Sequence, residues 1–149
     1  FISLMPSSLY GSNDNYNLQN SHVIPALLKK IFLAKTKKKK TLKIWGSGKP
    51  KREFLCVDDL AKFVVRIISL NPKKKLINVG YGKEISIGKL AFMIKKIIGY
   101  TGKITFDKQK PDGVKRKLLD SKYAKTLGFK VKTNLEDGLR KTFKEKFLK

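Results

Sequence analysis

A chain of 149 residues with 41% hydrophobic content can build one globular domain with a real core, and its single cysteine, Cys56, excludes an intrachain disulfide or a cysteine metal cluster. No apolar run approaches the ~20 residues of a membrane helix, and the start lacks the basic region and small-residue cleavage site of a signal peptide, so a cytoplasmic protein without a membrane partner is expected. The net charge of +24 raises nucleic-acid binding first, and its distribution argues against it. Lysines are spread over the polar faces of several predicted helices, and only Lys37 to Lys40 form a tract. Arginine, the better fork for phosphates and base edges, occurs only at Arg52, Arg66, Arg116 and Arg140, with no aromatic ladder beside it. Nucleic-acid binding is therefore the runner-up class.

Taken in order, residues 1 to 5 are apolar enough to be a buried strand entered midway, so the chain is expected to be the C-terminal part of something larger. Pro6 to Gly11 read as the loop leaving that strand, where open α/β sheets gather their ligands. A helix is predicted from near Ser21 to about Lys35. Asn20 and Ser21 are available as caps, Pro25 is tolerated near the start, and Ile24, Leu27, Leu28 and Ile31 form one buried face. The only histidine, His22, sits at this helix start, where the backbone dipole favours anions and neutral imidazole. By itself it is as much a capping or packing residue as a catalytic one.

Lys37 to Lys40 then make an exposed loop. Leu42 to Trp45 alternate as a half-buried strand, Gly46-Ser47-Gly48 turns, and Arg52 to Val57 resume extended structure. Asp58 is expected to cap a helix whose apolar face is Leu60, Val64, Ile67 and Ile68, closed by Asn71-Pro72. Leu76 to Gly80 form a second short strand. Ser86 opens a helix with Leu90, Ile94, Ile97 and Ile98 on one side and Gly99 at its end. After a strand at Ile104 to Phe106, the Pro111-Asp112-Gly113 turn leads through a basic connector to a short helix from about Asp120 to Leu127. Thr133 and Glu136 have the spacing of a capping box for a last helix that buries Leu135, Leu139, Phe143 and Phe147. Strands separated by helices indicate an α/β fold.

Three phrases stand in a distinctive order. They are Pro6-Ser7-Ser8-Leu9-Tyr10-Gly11 followed by Asn20-Ser21-His22-Val23-Ile24-Pro25-Ala26, then Trp45-Gly46-Ser47-Gly48 through Arg52-Glu53-Phe54-Leu55 to Val57-Asp58-Asp59, then Lys110-Pro111-Asp112-Gly113 through Arg116-Lys117-Leu118-Leu119-Asp120. Together they resemble the GDP-L-fucose synthase family of extended short-chain dehydrogenases. That resemblance implies the last strands of a Rossmann-type sheet (1–11 and 56–80) and a smaller mixed α/β substrate domain (12–55 and 81–149). It also implies NADP(H) along Pro6, Ser7, Ser8 and Leu9, with His22 beside the nicotinamide as proton donor, and a GDP-sugar held by Lys30, Trp45, Arg52 and Asp112. No metal is implied, and the complete enzyme would be a homodimeric epimerase-reductase.

The residue types suit those roles. Cations suit a diphosphate, an indole suits a base or sugar face, and a carboxylate suits hydroxyls or guanine N–H donors. Alternatives stay open for each: Trp45 as core, Arg52 paired with Glu53 or Asp58, Asp112 as the Asx residue of a turn. The family also needs a Gly-rich pyrophosphate loop, a Ser, a Tyr followed four residues later by Lys, and an epimerisation Cys. None of the five tyrosines has Lys four residues on, no glycines fall at G-x-G-x-x-G spacing, and Cys56 reads as a packing residue. By itself the chain is expected to be inactive. Another nucleotide-sugar epimerase or reductase is the rival specificity.

Overall fold

The computed structural model describes residues 1–148 and shows strands and helices in alternation. Strands β1 (Ser3–Pro6) and β2 (Ser8–Tyr10) precede helix α1 (Val23–Thr36), and β3 (Thr41–Trp45) and β4 (Lys51–Cys56) lead into α2 (Val57–Ile68). Next come β5 (Leu76–Val79), β6 (Glu84–Ser86) and α3 (Ile87–Ile98). The chain then runs through β7 (Lys103–Asp107), β8 (Arg116–Lys117), α4 (Lys122–Thr126) and α5 (Leu135–Phe147).

Strand β4 is the hub. Its last residues pair in parallel with β2, placing Phe54 opposite Ser8, while its first residues pair antiparallel with β6 and in parallel with β8. Two further parallel pairs stand beside it, β1 with β5 and β3 with β7. This is the α/β class that alternation predicts. Ser8–Tyr10, expected within a loop, is a strand because Phe54 to Cys56 offer it a ladder. β6 and β8 run three and two residues and carry no apolar periodicity, so only their pairing with β4 defines them.

Helix ends test the capping expectations individually. Ser86 accepts a hydrogen bond from the Lys89 N–H at 3.2 Å, and Gly99 closes α3 in the left-handed region at φ 70°, both as expected. Helix α1 instead opens at Val23 with His22 as its N-cap residue. Asn20 accepts from the Asn15 side-chain amide, and the Ser21 hydroxyl is buried without a partner among the described residues. Helix α2 opens at Val57, and Asp58 in its first turn reaches across to the Lys141 ammonium at 2.7 Å. The cap of α5 lies one residue later than the expected box: Asn134 accepts from the Asp137 N–H, while Thr133 donates to Asp59.

Two hydrophobic clusters result. The larger joins α1, α3 and α5 through Leu28, Ile31, Leu90, Ile94, Leu139 and Phe143. The smaller joins β5, α2 and α4 through Ile77, Val79, Phe63, Ile67, Ala124 and Phe129. On α2 the inward residues are therefore Phe63 and Ile67; Val64 and Ile68, expected inside, face outward.

Candidate functional site

Two clefts meet at one histidine. A cavity of about 600 Å³ is walled by Pro6, Ser7, Ser8 and Leu9 where β1 gives way to β2, and extends to Tyr10, Asp14, Glu53 and Leu119. A second, of about 340 Å³, is walled by Trp45, Pro50, Arg52, Phe54, Pro111 and Asp112. Ser8, Leu9, His22 and Lys117 line both. Of the residues expected along a cofactor, Pro6 and Ser7 line the first cleft alone and Ser8, Leu9 and His22 line both; of those expected around a sugar nucleotide, Trp45, Arg52 and Asp112 line the second and Lys30 lines neither.

His22 is placed by the start of α1. Its backbone is extended, φ −66° and ψ 169°, and its carbonyl accepts from the Ala26 N–H at 3.0 Å. The side chain makes no capping hydrogen bond, so the capping role open to it in the sequence is not the one it takes. It is exposed and lines both clefts.

In the larger cleft the backbone N–H of Ser7 donates to Val79 at 2.9 Å, while the Ser7 hydroxyl is buried with no partner among the described residues. A buried hydroxyl costs free energy unless something bonds it, so the loop has a group left for a ligand, as a polar cofactor requires. The Tyr10 hydroxyl is likewise buried and unpartnered, packed on Gly138. Burial pushes its ionisation well above the ordinary phenol value, so it stays neutral and can only donate or accept.

In the smaller cleft Trp45 is 65% exposed, which removes its core alternative. Ammonium groups of Lys30 and Lys110 sit 4.9 and 5.6 Å from the indole ring centre, a cation–π arrangement. Lys30 therefore reaches the cleft through Trp45 and is not one of its walls. Arg52 donates to the Lys51 carbonyl at 2.8 Å and pairs with neither carboxylate once proposed for it: Glu53 accepts from backbone N–H groups and Asp58 pairs with Lys141. Its guanidinium is left to the cleft.

Asp112 is a clamp across two loops and not the Asx residue of its own turn. It accepts from both the hydroxyl and the backbone N–H of Ser47, each at 2.6 Å, and those bonds hold its carboxyl below the usual carboxylate range. A Cβ at Gly46, whose φ is +81°, would come 2.5 Å from the Asp112 carboxylate, so this turn needs glycine twice over.

Lys117 and Glu53 were not singled out from the sequence. Lys117 stands between Arg116 and Leu118, yet one lysine among so many carries no signal until β8 sets it beside β4. Glu53 did carry one: a carboxyl group inside an otherwise apolar strand end, Phe54-Leu55-Cys56.

Residues 1–80 match the family model described as the NAD dependent epimerase/dehydratase family, and the chain belongs to that family. Within it, the chain is 44% identical to GDP-L-fucose synthase 1 of Arabidopsis thaliana over 95% of its own length and 44% of the relative's. It is 42% identical to GDP-L-fucose synthase of Escherichia coli strain K12, over 96% of its own length and 47% of that protein's. The fold matches a GDP-L-fucose synthetase from Naegleria fowleri bound to NADP, with TM-score 0.91 and 31% identity, over 99% of this chain and 46% of that one. The chain thus spans less than half the length of the relatives it matches.

Proposed function

We propose that this chain is the C-terminal, substrate-binding part of an NADP-dependent enzyme that epimerises carbons 3 and 5 of GDP-4-keto-6-deoxy-D-mannose and reduces carbon 4, giving GDP-L-fucose. The observation that carries this reading is the sharing of His22 between the two clefts. In this assignment 1–11 and 56–80 belong to the dinucleotide-binding sheet and 12–55 and 81–149 to the substrate domain, with α4 lying against the first group through Ala124.

NADPH, when bound along Pro6 to Leu9, supplies a hydride to the ketone. The unpartnered Ser7 hydroxyl is available to hold it. In the neighbouring cleft Trp45 offers a flat face, and Arg52 and Lys117 offer the two cations that a diphosphate needs. Asp112 keeps the Gly46 to Gly48 turn, and with it Trp45, in place. Inverting a carbon beside a ketone requires a proton to leave one face and another to arrive on the opposite face. His22 supplies the arriving proton, and a base on the opposite face of the sugar removes the first.

In the complete enzyme His22→Gln keeps a polar side chain of similar reach but cannot transfer a proton. Deuterium uptake from solvent at carbons 3 and 5 is expected to fall ~10²–10⁴-fold, the usual cost of losing a general acid, with NADPH binding by fluorescence retained. Wild-type uptake in that variant removes His22 from the chemistry.

A further inference from the structure

Two acidic side chains are buried, Glu53 at 1% and Asp59 at 2% exposure, and only Glu53 faces the clefts. It stands on β4 next to Arg52, and its carboxyl group meets no cation among the described residues. One oxygen accepts from the backbone N–H of Gly82 in the turn after β5, and the other from the backbone N–H of Leu119 at 3.1 Å. A Cβ at Gly80 would come 2.5 Å from this carboxyl group, so the chain leaves room for it there.

Leu119 ends a strap, residues 108–118, that is exposed throughout. Burial does not hold this strap, so its few polar tethers must. They include Asp112 on Ser47, Arg116 on Glu84 at 2.6 Å, the Lys51 N–H on the Lys115 carbonyl at 2.9 Å beside the two-residue ladder of β8 on β4, and Leu119 on Glu53. That ladder sets Lys117 directly opposite Arg52, and both line the smaller cleft. Like charges opposite each other on adjacent strands repel, and the tethers on either side of Lys117 work against that repulsion.

Resting on the nucleotide-sugar reading above, we propose that Glu53 is a positioning residue: by anchoring Leu119 it holds Lys117 beside Arg52 as a two-cation clamp for the diphosphate. Glu53 touches no substrate in this role. It acts through the strap.

The test uses the complete enzyme with Glu53→Gln, Lys117→Ala and the double variant. GDP and inorganic pyrophosphate are titrated by calorimetry, amide exchange is followed at Leu119, and KM and kcat are measured with the keto-sugar. In Glu53→Gln we expect faster Leu119 exchange, a rise in KM of about tenfold with kcat little changed, and GDP affinity lower by about tenfold, the scale of one charge-assisted contact. Lys117→Ala should match that loss, and the double variant should add little to it, because both changes remove the same clamp. Losses that multiply in the double variant, or unchanged GDP binding alongside faster Leu119 exchange, overturn the proposal. Should Glu53→Gln fail to fold, Glu53→Asp keeps the charge but shortens the reach. The same loss supports the tether, and full GDP binding overturns it. Pyrophosphate separates the two readings, since it needs the cation pair but no guanine. If wild type binds pyrophosphate and not GDP, the substrate assignment fails, and the variant series on pyrophosphate still decides the role of Glu53.

Discussion

The two hydrophobic clusters differ in whether they close on themselves. In the larger, α1, α3 and α5 turn their apolar faces toward one another, so Leu28, Ile31, Leu90, Ile94 and Leu139 are fully buried. In the smaller, α2 and α4 cover the parallel pair β1 and β5 from within, while Met5, Leu76, Val65 and Ile68 stay outside, the last two at 73% and 76% exposure. Parallel strands are ordinarily covered on both faces, and a two-stranded pair has little to bury by itself. A helix whose neighbours lie on one side only buries one stripe, however apolar the rest of its surface. That is why periodicity located the inner face of α3, while on α2 it placed Leu60 and Ile67 correctly and Val64 and Ile68 on the wrong side, where Phe63 packs inward instead.

The largest effect that would sharpen this contrast lies in the closed cluster. Ile94→Ala removes a side chain with 0% exposure and is expected to cost ~2–5 kcal/mol in urea unfolding, because packed helices cannot collapse onto the space. A loss near 1 kcal/mol would mean that the helices do collapse onto the space and that this cluster is not tightly closed. Next comes the link between the two. Asp59 on α2 accepts from the backbone N–H groups of Lys132 and Thr133 at 3.0 and 2.9 Å, just before α5 joins the closed cluster. Asp59→Ala strands both donors in a partly buried place, at an expected ~1–3 kcal/mol, and amide exchange at 132 and 133 should quicken with it. The smallest effect is expected on the open side. In this chain Val65→Ser and Ile68→Ser should each change stability by no more than ~0.5 kcal/mol, since neither side chain is buried. A clear destabilisation, read beside sedimentation, would break the contrast by showing that the face is covered in solution.

The candidate site divides along similar lines. The phrases around Pro6 to Leu9, His22, Trp45, Arg52 and Asp112 marked these residues as candidates through the resemblance they carry together, and taken singly each left a structural alternative open. Their arrangement was not legible. That Asp112 grips Ser47, that Lys30 reaches the cleft over Trp45, and that Lys117 faces Arg52 are contacts between segments far apart in the chain.

By itself the sequence determined the alternation of strands and helices, the caps at Ser86 and Gly99, and the stripe of α3, since these depend on spacing over a few residues and on local backbone hydrogen bonds. Only the tertiary structure decided which side of α2 is core, that Ser8–Tyr10 is a strand, that His22 makes no cap hydrogen bond, and that Glu53 ties the strap to β4. Each of these turns on a partner brought from elsewhere in the chain: a ladder, a packed face or a backbone donor has no trace in local spacing until the fold delivers it.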